Sequence, residues 1–167
     1  MSAFMSTVSK RGAACVLSLL AWGAVQAADH MPQGERTQGR SYSPAVVTEG
    51  GRIVWLAGET ATTDLQGRDI KGDFEAQART VFALIDQTLK RAGGSLKDVA
   101  TMTVYMTDVR NGATFAKVRS EMFPDRRFPA SAQITVSALA VPGMQIEIQA
   151  VAVLGDKCSP ASPCLPK

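Results

Sequence analysis

Few side chains in this sequence are suited to covalent or metal chemistry. The 167 residues contain one histidine, His30, and three cysteines. Nucleophilic catalysis needs a serine or cysteine beside an activating base, and we expect His30 to belong to a polar leader. The inventory therefore allows no Ser/His or Cys/His system. Two C-terminal thiols are also too few ligands to predict a metal site.

The N-terminus has the parts of an export signal. Lys10 and Arg11 form a basic region, residues 12–25 are apolar, and residues 25–27 (Val-Gln-Ala) form a small-residue cleavage site. The apolar run is too short to span a bilayer comfortably. We expect cleavage after Ala27 and a periplasmic or secreted mature protein that is not held in a membrane. An uncleaved anchor or a buried core helix is the alternative.

The proposed compartment decides how two cysteines are interpreted. Cys158 and Cys164 lie in a segment rich in proline and serine near the C-terminus. An oxidising compartment favours a disulfide between such a pair, whereas the cytosol keeps thiols reduced. Export therefore predicts a disulfide between Cys158 and Cys164.

The net charge argues against several classes of partner. The formal charge is +3, and the expected signal carries two basic residues and no acid. The mature chain is therefore close to neutral, which gives no reason to expect binding to nucleic acid or to an anionic membrane. Hydrophobic residues make up 46% and charged residues 20%, as in an ordinary globular domain.

Residue periodicity predicts one domain over residues 41–155, between a linker at 28–40 and a tail at 156–167. The strongest signal is an amphipathic helix over 73–92, capped by Asp73 and ended by glycine. The other expected elements are strands at 42–47, 53–57, 99–107, 131–138 and 144–154 and a helix at 111–123. Two glycines after Glu49 favour a hairpin between the first two strands. The order β-β-α-β-α-β-β indicates an α+β fold with both helices on one face of a sheet.

The last two strands each have an apolar and a more polar face. The helices are expected to cover the apolar faces, and the mixed faces suit a subunit interface or a lined cleft. A solvated sheet face is the alternative. The apolar faces comprise Ala132, Ile134 and Val136 in one strand and Ile146, Ile148, Ala150 and Ala152 in the other; the polar residues opposite include Ser131, Gln133, Gln145, Glu147 and Gln149.

An ordered set of short motifs resembles the RidA (YjgF) family of enamine/imine deaminases over roughly 115 residues. Each motif alone is weak, and their order is specific. The motifs are Tyr-Ser-Pro-Ala at 42–45, Ile-Val-Trp-Leu-Ala-Gly-Glu at 53–59, the helix opening at 73, Val-Tyr-Met-Thr-Asp at 104–108, Phe-Ala-Lys-Val at 115–118, Phe-Pro-Ala-Ser at 128–131 and Gln-Ile-Glu-Ile-Gln-Ala-Val-Ala at 145–152.

The resemblance implies a chorismate-mutase-like fold and a homotrimer with small-molecule pockets at the subunit interfaces. The family hydrolyses 2-aminoacrylate and similar imines to a keto acid and ammonia, with no cofactor. An arginine clamps the substrate carboxylate through its planar fork, and a glutamate on the last strand orients or activates water. The glutamate position is Glu147 here, and the family's ligand-approaching glycine is Gly58.

Four pocket positions depart from the family pattern. Ser131 stands where the family has the clamp arginine, and Gln133 replaces a cysteine two residues later. Ala57 replaces a serine, and Arg119 replaces an asparagine on the second helix. Losing a buried bidentate carboxylate contact costs about 2–5 kcal/mol of binding. We therefore expect the family activity to be altered.

Three arginines are candidates to replace the missing charge. Arg119, Arg126 and Arg127 could approach the pocket from new directions, whereas the alternatives are a helix surface for Arg119 and a solvated loop for the other two. Tyr42 is expected to line the cleft, as a family tyrosine does. Trp55, in an apolar strand, is expected in the core.

Three functions follow as hypotheses. The first is a cofactor-free hydrolytic deaminase of small imines or enamines with an altered substrate and Glu147 as general base. The second is a non-catalytic trimer that binds a small metabolite at its subunit interface. The third is an exported stress or holdase-like protein. The retained Glu147 favours the first, and the missing clamp arginine favours the second.

Overall fold

The computed structural model describes residues 28–158 and 163–165. The expected export signal, residues 1–27, lies outside the described residues. The strands are β1 Asp29–His30, β2 Val46–Val47, β3 Arg52–Trp55, β4 Glu59–Thr60, β5 Val99–Met106, β6 Ala130–Thr135 and β7 Ile146–Leu154; the helices are α1 Phe74–Ala92 and α2 Gly112–Met122. No helix within the described ranges is long and apolar enough to cross a membrane.

One sheet of five strands forms the body of the domain. Four strands are ordered β3-β7-β5-β6, and β4 also pairs with β7. β5 and β6 run parallel, while β7 is antiparallel to β3, β4 and β5. Both helices contribute to the core on one face of this sheet. The predicted α+β architecture is confirmed, with β1 and β4 as two short additional strands.

Helix α1 forms as its sequence predicts. The Asp73 side chain accepts a hydrogen bond from the backbone N–H of Ala76, and Gly93 ends the helix in the left-handed conformation with φ 90°. A single stripe of buried residues on α1 faces the sheet and α2. Phe82 of this stripe stacks on Phe115 of α2, with 6.0 Å between the ring centroids. Burial of this stripe fixes α2, and hence its polar residues, against the sheet.

The predicted hairpin between residues 42–47 and 53–57 was wrong. Val46 and Val47 pair instead with β1, while β3 pairs with residues 151–154 of β7. Gly50 and Gly51 both adopt positive φ, 69° and 74°. This conformation lets the chain turn from the two-stranded sheet, which contains β2, into the five-stranded sheet, which contains β3. The long apolar β7 satisfies the backbone of β3 along its whole length, which the short β2 cannot do.

The segment 28–40 is not a free linker. It contains β1, and the N–H of Met31 donates to the Ala45 carbonyl at 3.0 Å. Ala28 is only 2% exposed. The tail is attached to the same region, because the Asp29 carboxylate accepts hydrogen bonds from the backbone amides of Cys164 and Leu165. A disulfide joins Cys158 to Cys164.

The assignment of the faces of β6 was also wrong. Ser131 is paired with Met102 and Gln133 with Val104, and these β5 residues point to the helices. Residues directly opposite on neighbouring strands share a face, so the polar residues of β6 lie on the helix side. Ile134 lies on the open face of the sheet. The physical reason is α2, which presents a polar side chain, Arg119, to this edge strand.

The open face of the sheet carries large apolar side chains in contact with solvent. Ile53 is 54% exposed, Trp55 77% and Ile134 43%. The expected core position of Trp55 was therefore wrong. Trp55 is paired with Val151 on β7. Ile134 is paired with Tyr105 on β5, and Tyr105 is paired in turn with Glu147 on β7. Apolar and polar residues therefore share this face.

Candidate functional site

Arg119 lines a cleft of about 530 Å³ between α2, β6 and residues 39–42. Arg119 is 2% exposed. Its Nε donates to Ser41 Oγ at 3.1 Å, and its Nη1 donates to Ser131 Oγ at 2.8 Å. The residue at the expected clamp position thus binds a guanidinium that comes from the helix.

Two aromatic rings confine the Arg119 guanidinium. Its central carbon is 4.9 Å from the ring centroid of Phe115 and 5.8 Å from that of Tyr42. Such contacts stabilise a cation modestly. Tyr42 also lines this cleft. The helix surface, which was the alternative for Arg119, is excluded by its burial.

Arg119 has no carboxylate partner among the described residues, since none of their ion pairs includes it. Burial lowers the pKa of Arg119 from its ordinary value to about 10, and an electrostatic interaction with Tyr42 partly opposes this effect. The side chain is therefore charged at neutral pH. A buried cation with two serine hydroxyls and no counter-ion is poised to bind an anion.

Glu147 lies in a second cleft, of about 370 Å³, together with Gly58, Tyr105 and Gln149. Its carboxylate rests against the backbone of Gly58. A Cβ atom at position 58 would lie 2.1 Å from Glu147 Oε1, so any side chain there would displace the carboxylate. Gly58 therefore provides the space in which Glu147 sits.

The two clefts lie on opposite faces of the sheet. Ser131 and Gln133 are on the helix side, and Glu147 is opposite Tyr105 on the open side. The strand that carries Ser131 and Gln133, β6, is not adjacent to β7, which carries Glu147, because the long strand β5 lies between them. Two strand spacings correspond to about 10 Å. One chain alone therefore does not bring Glu147 and Arg119 to the same small ligand.

Arg126 and Arg127 lie away from both clefts. They line a third cleft, of about 310 Å³, that also contains His30. The Arg127 guanidinium donates to the Ala28 carbonyl, which draws it towards the N-terminal segment. The proposed role of Arg127 beside Ser131 therefore has no support in its placement. His30 is not part of a free leader, since its Nδ1 lies 2.7 Å from the Phe128 carbonyl.

Sequence reasoning missed Ser41 and His30 as polar groups of these clefts. Ser41 is 5% exposed and precedes the first family motif, so no motif singles it out. One group of possible metal ligands lies elsewhere, where Glu49 approaches Cys158 and Cys164. Both sulfur atoms belong to the disulfide and are not free thiolates.

Comparison with known proteins identifies the class to which this fold and these clefts belong. A family model described as Endoribonuclease L-PSP matches residues 36–154. A RutC family protein of Pyrococcus abyssi is 34% identical over 111 residues, which cover 66% of this chain and 84% of that protein. The chain belongs to this family, the RidA (YjgF) family that its motifs resemble.

Two solved structures support the same fold. A Rid family protein of unknown function from Yersinia pestis has a TM-score of 0.62 and 29% identity, covering 68% of this chain and 87% of that one. Rv2704 of Mycobacterium tuberculosis, a member of the YjgF/YER057c/UK114 family, has a TM-score of 0.54 and 30% identity, covering 76% of this chain and 99% of that one.

Proposed function

We propose that this protein is a cofactor-free hydrolase of small imines or enamines that carry a carboxylate, with Arg119 as the carboxylate-binding group. The observation that carries the proposal is the buried Arg119 guanidinium, which is bonded to Ser131 and has no acidic partner among the described residues. Two of its five N–H groups are used by serines, which leaves donors for a planar carboxylate.

Assembly supplies the rest of the site in this proposal. The Arg119 cleft and the Glu147 cleft cannot meet within one chain, and the open sheet face exposes Ile53, Trp55 and Ile134. An exposed apolar patch of this kind favours association. We propose a homotrimer in which Glu147 of one subunit faces the Arg119 cleft of its neighbour. Each pocket then contains one binding group and one carboxylate.

The proposed reaction needs only water and proton transfer. The enamine takes up a proton on carbon and becomes an imine. The oxygen of water then forms a bond to the imine carbon while Glu147 accepts the water proton. The same proton returns to nitrogen, the carbon–nitrogen bond breaks and ammonia leaves, while the hydroxyl proton passes to the solvent and replaces the one taken up on carbon. The carbon keeps the oxygen as the carbonyl of a 2-keto acid, and Arg119 holds the carboxylate throughout.

The decisive experiment compares wild type with Glu147→Gln and Arg119→Met in hydrolysis of freshly generated 2-aminoacrylate. We expect wild-type turnover, loss of turnover with retained 2-keto acid binding in Glu147→Gln, and loss of both in Arg119→Met. Glu35→Gln makes the same substitution at an exposed carboxylate that lines neither cleft, and it should leave turnover unchanged. If wild type binds the keto acid without turnover, the second hypothesis, a metabolite-binding trimer, replaces the hydrolase.

We further propose that the protein is exported, with residues 1–27 as the signal and a periplasmic or secreted mature chain. The Cys158–Cys164 disulfide supports this proposal, because such bonds persist in oxidising compartments. N-terminal sequencing of the native protein should give a chain that starts at Ala28. A chain that retains Met1, or two free thiols by mass spectrometry, would contradict it.

A further inference from the structure

The third cleft has the composition of an anion site that is independent of the proposed reaction. Its lining includes an imidazole and two guanidinium groups and no carboxylate. It lies against the N-terminal segment, and its lining shares no residue with that of the Arg119 cleft. The lining residues are His30, Met31, Pro32, Gln33, Ser43, Arg126, Arg127 and Phe128.

The protonation of His30 is set by its backbone contact. Nδ1 lies 2.7 Å from the Phe128 carbonyl oxygen, which can only accept a hydrogen bond. Nδ1 must therefore carry the proton. In the neutral ring Nε2 is then an acceptor. Nε2 is buried and has no hydrogen-bond partner in the described part of the chain. A buried acceptor without a donor is costly, so this atom is suited to a donor from a ligand.

The charges around His30 keep the ring neutral near neutral pH. Burial is the main cause that lowers the His30 pKa from 6.5, and Arg127 adds to it. The carboxylates of Asp125 and Asp29 and the bond to Phe128 act in the opposite direction. Neither carboxylate lines the cleft. A ligand at neutral pH therefore meets an acceptor on His30 beside two cations.

Arg126 has an unusual backbone conformation at the rim of this cleft. Its φ is 60°, in the left-handed region that non-glycine residues seldom adopt. Residues in such conformations cluster at ligand sites. The conformation places Arg126 in the lining together with Arg127, one of whose donors is used by the Ala28 carbonyl.

We propose that this cleft binds inorganic phosphate, whose O–H donates to His30 Nε2 while its other oxygens accept hydrogen bonds from Arg126 and Arg127. Phosphate fits both requirements because its singly and doubly charged forms keep at least one O–H. Sulfate has no O–H at neutral pH, so it offers His30 a second acceptor. A phosphate monoester is largely a dianion without an O–H above about pH 6.

His30 is the only histidine of the chain, so its ring nitrogens give unambiguous signals in a two-dimensional 1H–15N spectrum of the whole protein. At pH 7.5 we expect a neutral ring with the proton on Nδ1. Inorganic phosphate should shift the Nε2 signal and saturate. Sulfate and glycerol phosphate should bind at least about tenfold more weakly at that pH. Below the measured His30 midpoint Nε2–H becomes a donor, and sulfate should then bind.

Variants test the guanidinium contribution. Arg126→Gln should weaken phosphate binding about tenfold, because it removes a charged hydrogen-bond donor. Arg91→Gln, at an exposed position in the last turn of α1, removes the same charge elsewhere and should leave affinity within about twofold. A proton on Nε2 at pH 7.5, equal binding of sulfate and phosphate there, or unchanged His30 signals with phosphate would overturn the proposal. The wild-type titration decides this even where Arg126→Gln fails to fold.

Discussion

The Arg119 cleft and the Glu147 cleft differ in how far one chain completes them. The Arg119 side chain is buried between α2 and β6, where two serine hydroxyls and two aromatic rings hold it in place. Glu147 is only half-buried on an open sheet face and rests against Gly58. The binding group is therefore preorganised in each chain, whereas the carboxylate acquires enclosed surroundings only when another surface covers it.

The contacts of Arg119 also explain how serine can occupy position 131, where the family has an arginine. A guanidinium reaches the cleft, but it starts from helix α2 and ends at Ser131 Oγ. The small serine leaves room for the Arg119 side chain, and its hydroxyl accepts one of the N–H groups. In the proposed function, Arg119 on α2 supplies the positive charge that the family carries at the position of Ser131 on the strand. The two substitutions, serine at 131 and arginine at 119, therefore compensate each other.

The largest expected effect is on ligand binding through Arg119. Arg119→Met should reduce affinity for a small 2-keto acid by about 2–5 kcal/mol, because Arg119 is the one buried cation among the described residues that line this cleft. Isothermal titration measures this directly. Folding stability should change little, since replacing a buried charge by an apolar side chain is often neutral. Lys117→Met, on the exposed rim of the cleft, is the matched control and should change affinity only slightly.

The proposal that a neighbouring subunit encloses Glu147 is tested by a substitution on the open face of the sheet. Trp55→Glu places a charge in the exposed apolar patch and should weaken subunit association by at least about 2 kcal/mol. Sedimentation velocity should show a shift from trimer to monomer, with loss of turnover and retained keto acid binding. Leu65→Glu changes another exposed apolar residue, 47% exposed and outside the sheet, and should leave the mass unchanged. A wild-type protein of one-chain mass would refute the assembly.

Placing arginine, the family residue, at position 131 should not recreate the family's carboxylate-binding pocket. Ser131→Arg removes a hydrogen-bond acceptor of Arg119 and places a second guanidinium beside it. We expect the free energy of unfolding to fall by about 1–3 kcal/mol, as measured in urea. The double variant Ser131→Arg with Arg119→Asn should recover that loss. Additive losses would show that the two positions are independent.

A smaller effect should distinguish Arg119 from a surface arginine by pH. Its pKa of about 10 lies below that of an ordinary arginine, so keto acid affinity should be constant from pH 7 to 9 and fall as the pH rises through 10. At one pH unit above the pKa the loss is about tenfold. Since the folded protein disfavours the charged form, the associated destabilisation is full below pH 10 and disappears as the pH rises towards the ordinary arginine pKa. Constant affinity to pH 11 would contradict the assignment.

Local patterns predicted local structure well and pairing poorly. Helix α1 agrees with its sequence signals because its caps, Asp73 and Gly93, act within one turn. Strand alternation in β6 correctly divides the residues into two sets, but it carries no information on which set a helix will cover. The side chain that decides this, Arg119, is on another element. The partner of β3 is likewise about a hundred residues further along the chain.

The position of β7 bears on the order in which the chain can fold. β7 lies between β3 and β5 and also holds β4, although it is the last strand to be synthesised. Until residues 146–154 emerge, β3 and β4 have no sheet partner and α1 has only part of the surface it packs on. Closure of the core must therefore wait until β7 is available, because its pairing with β3 joins residues about a hundred positions apart in the sequence.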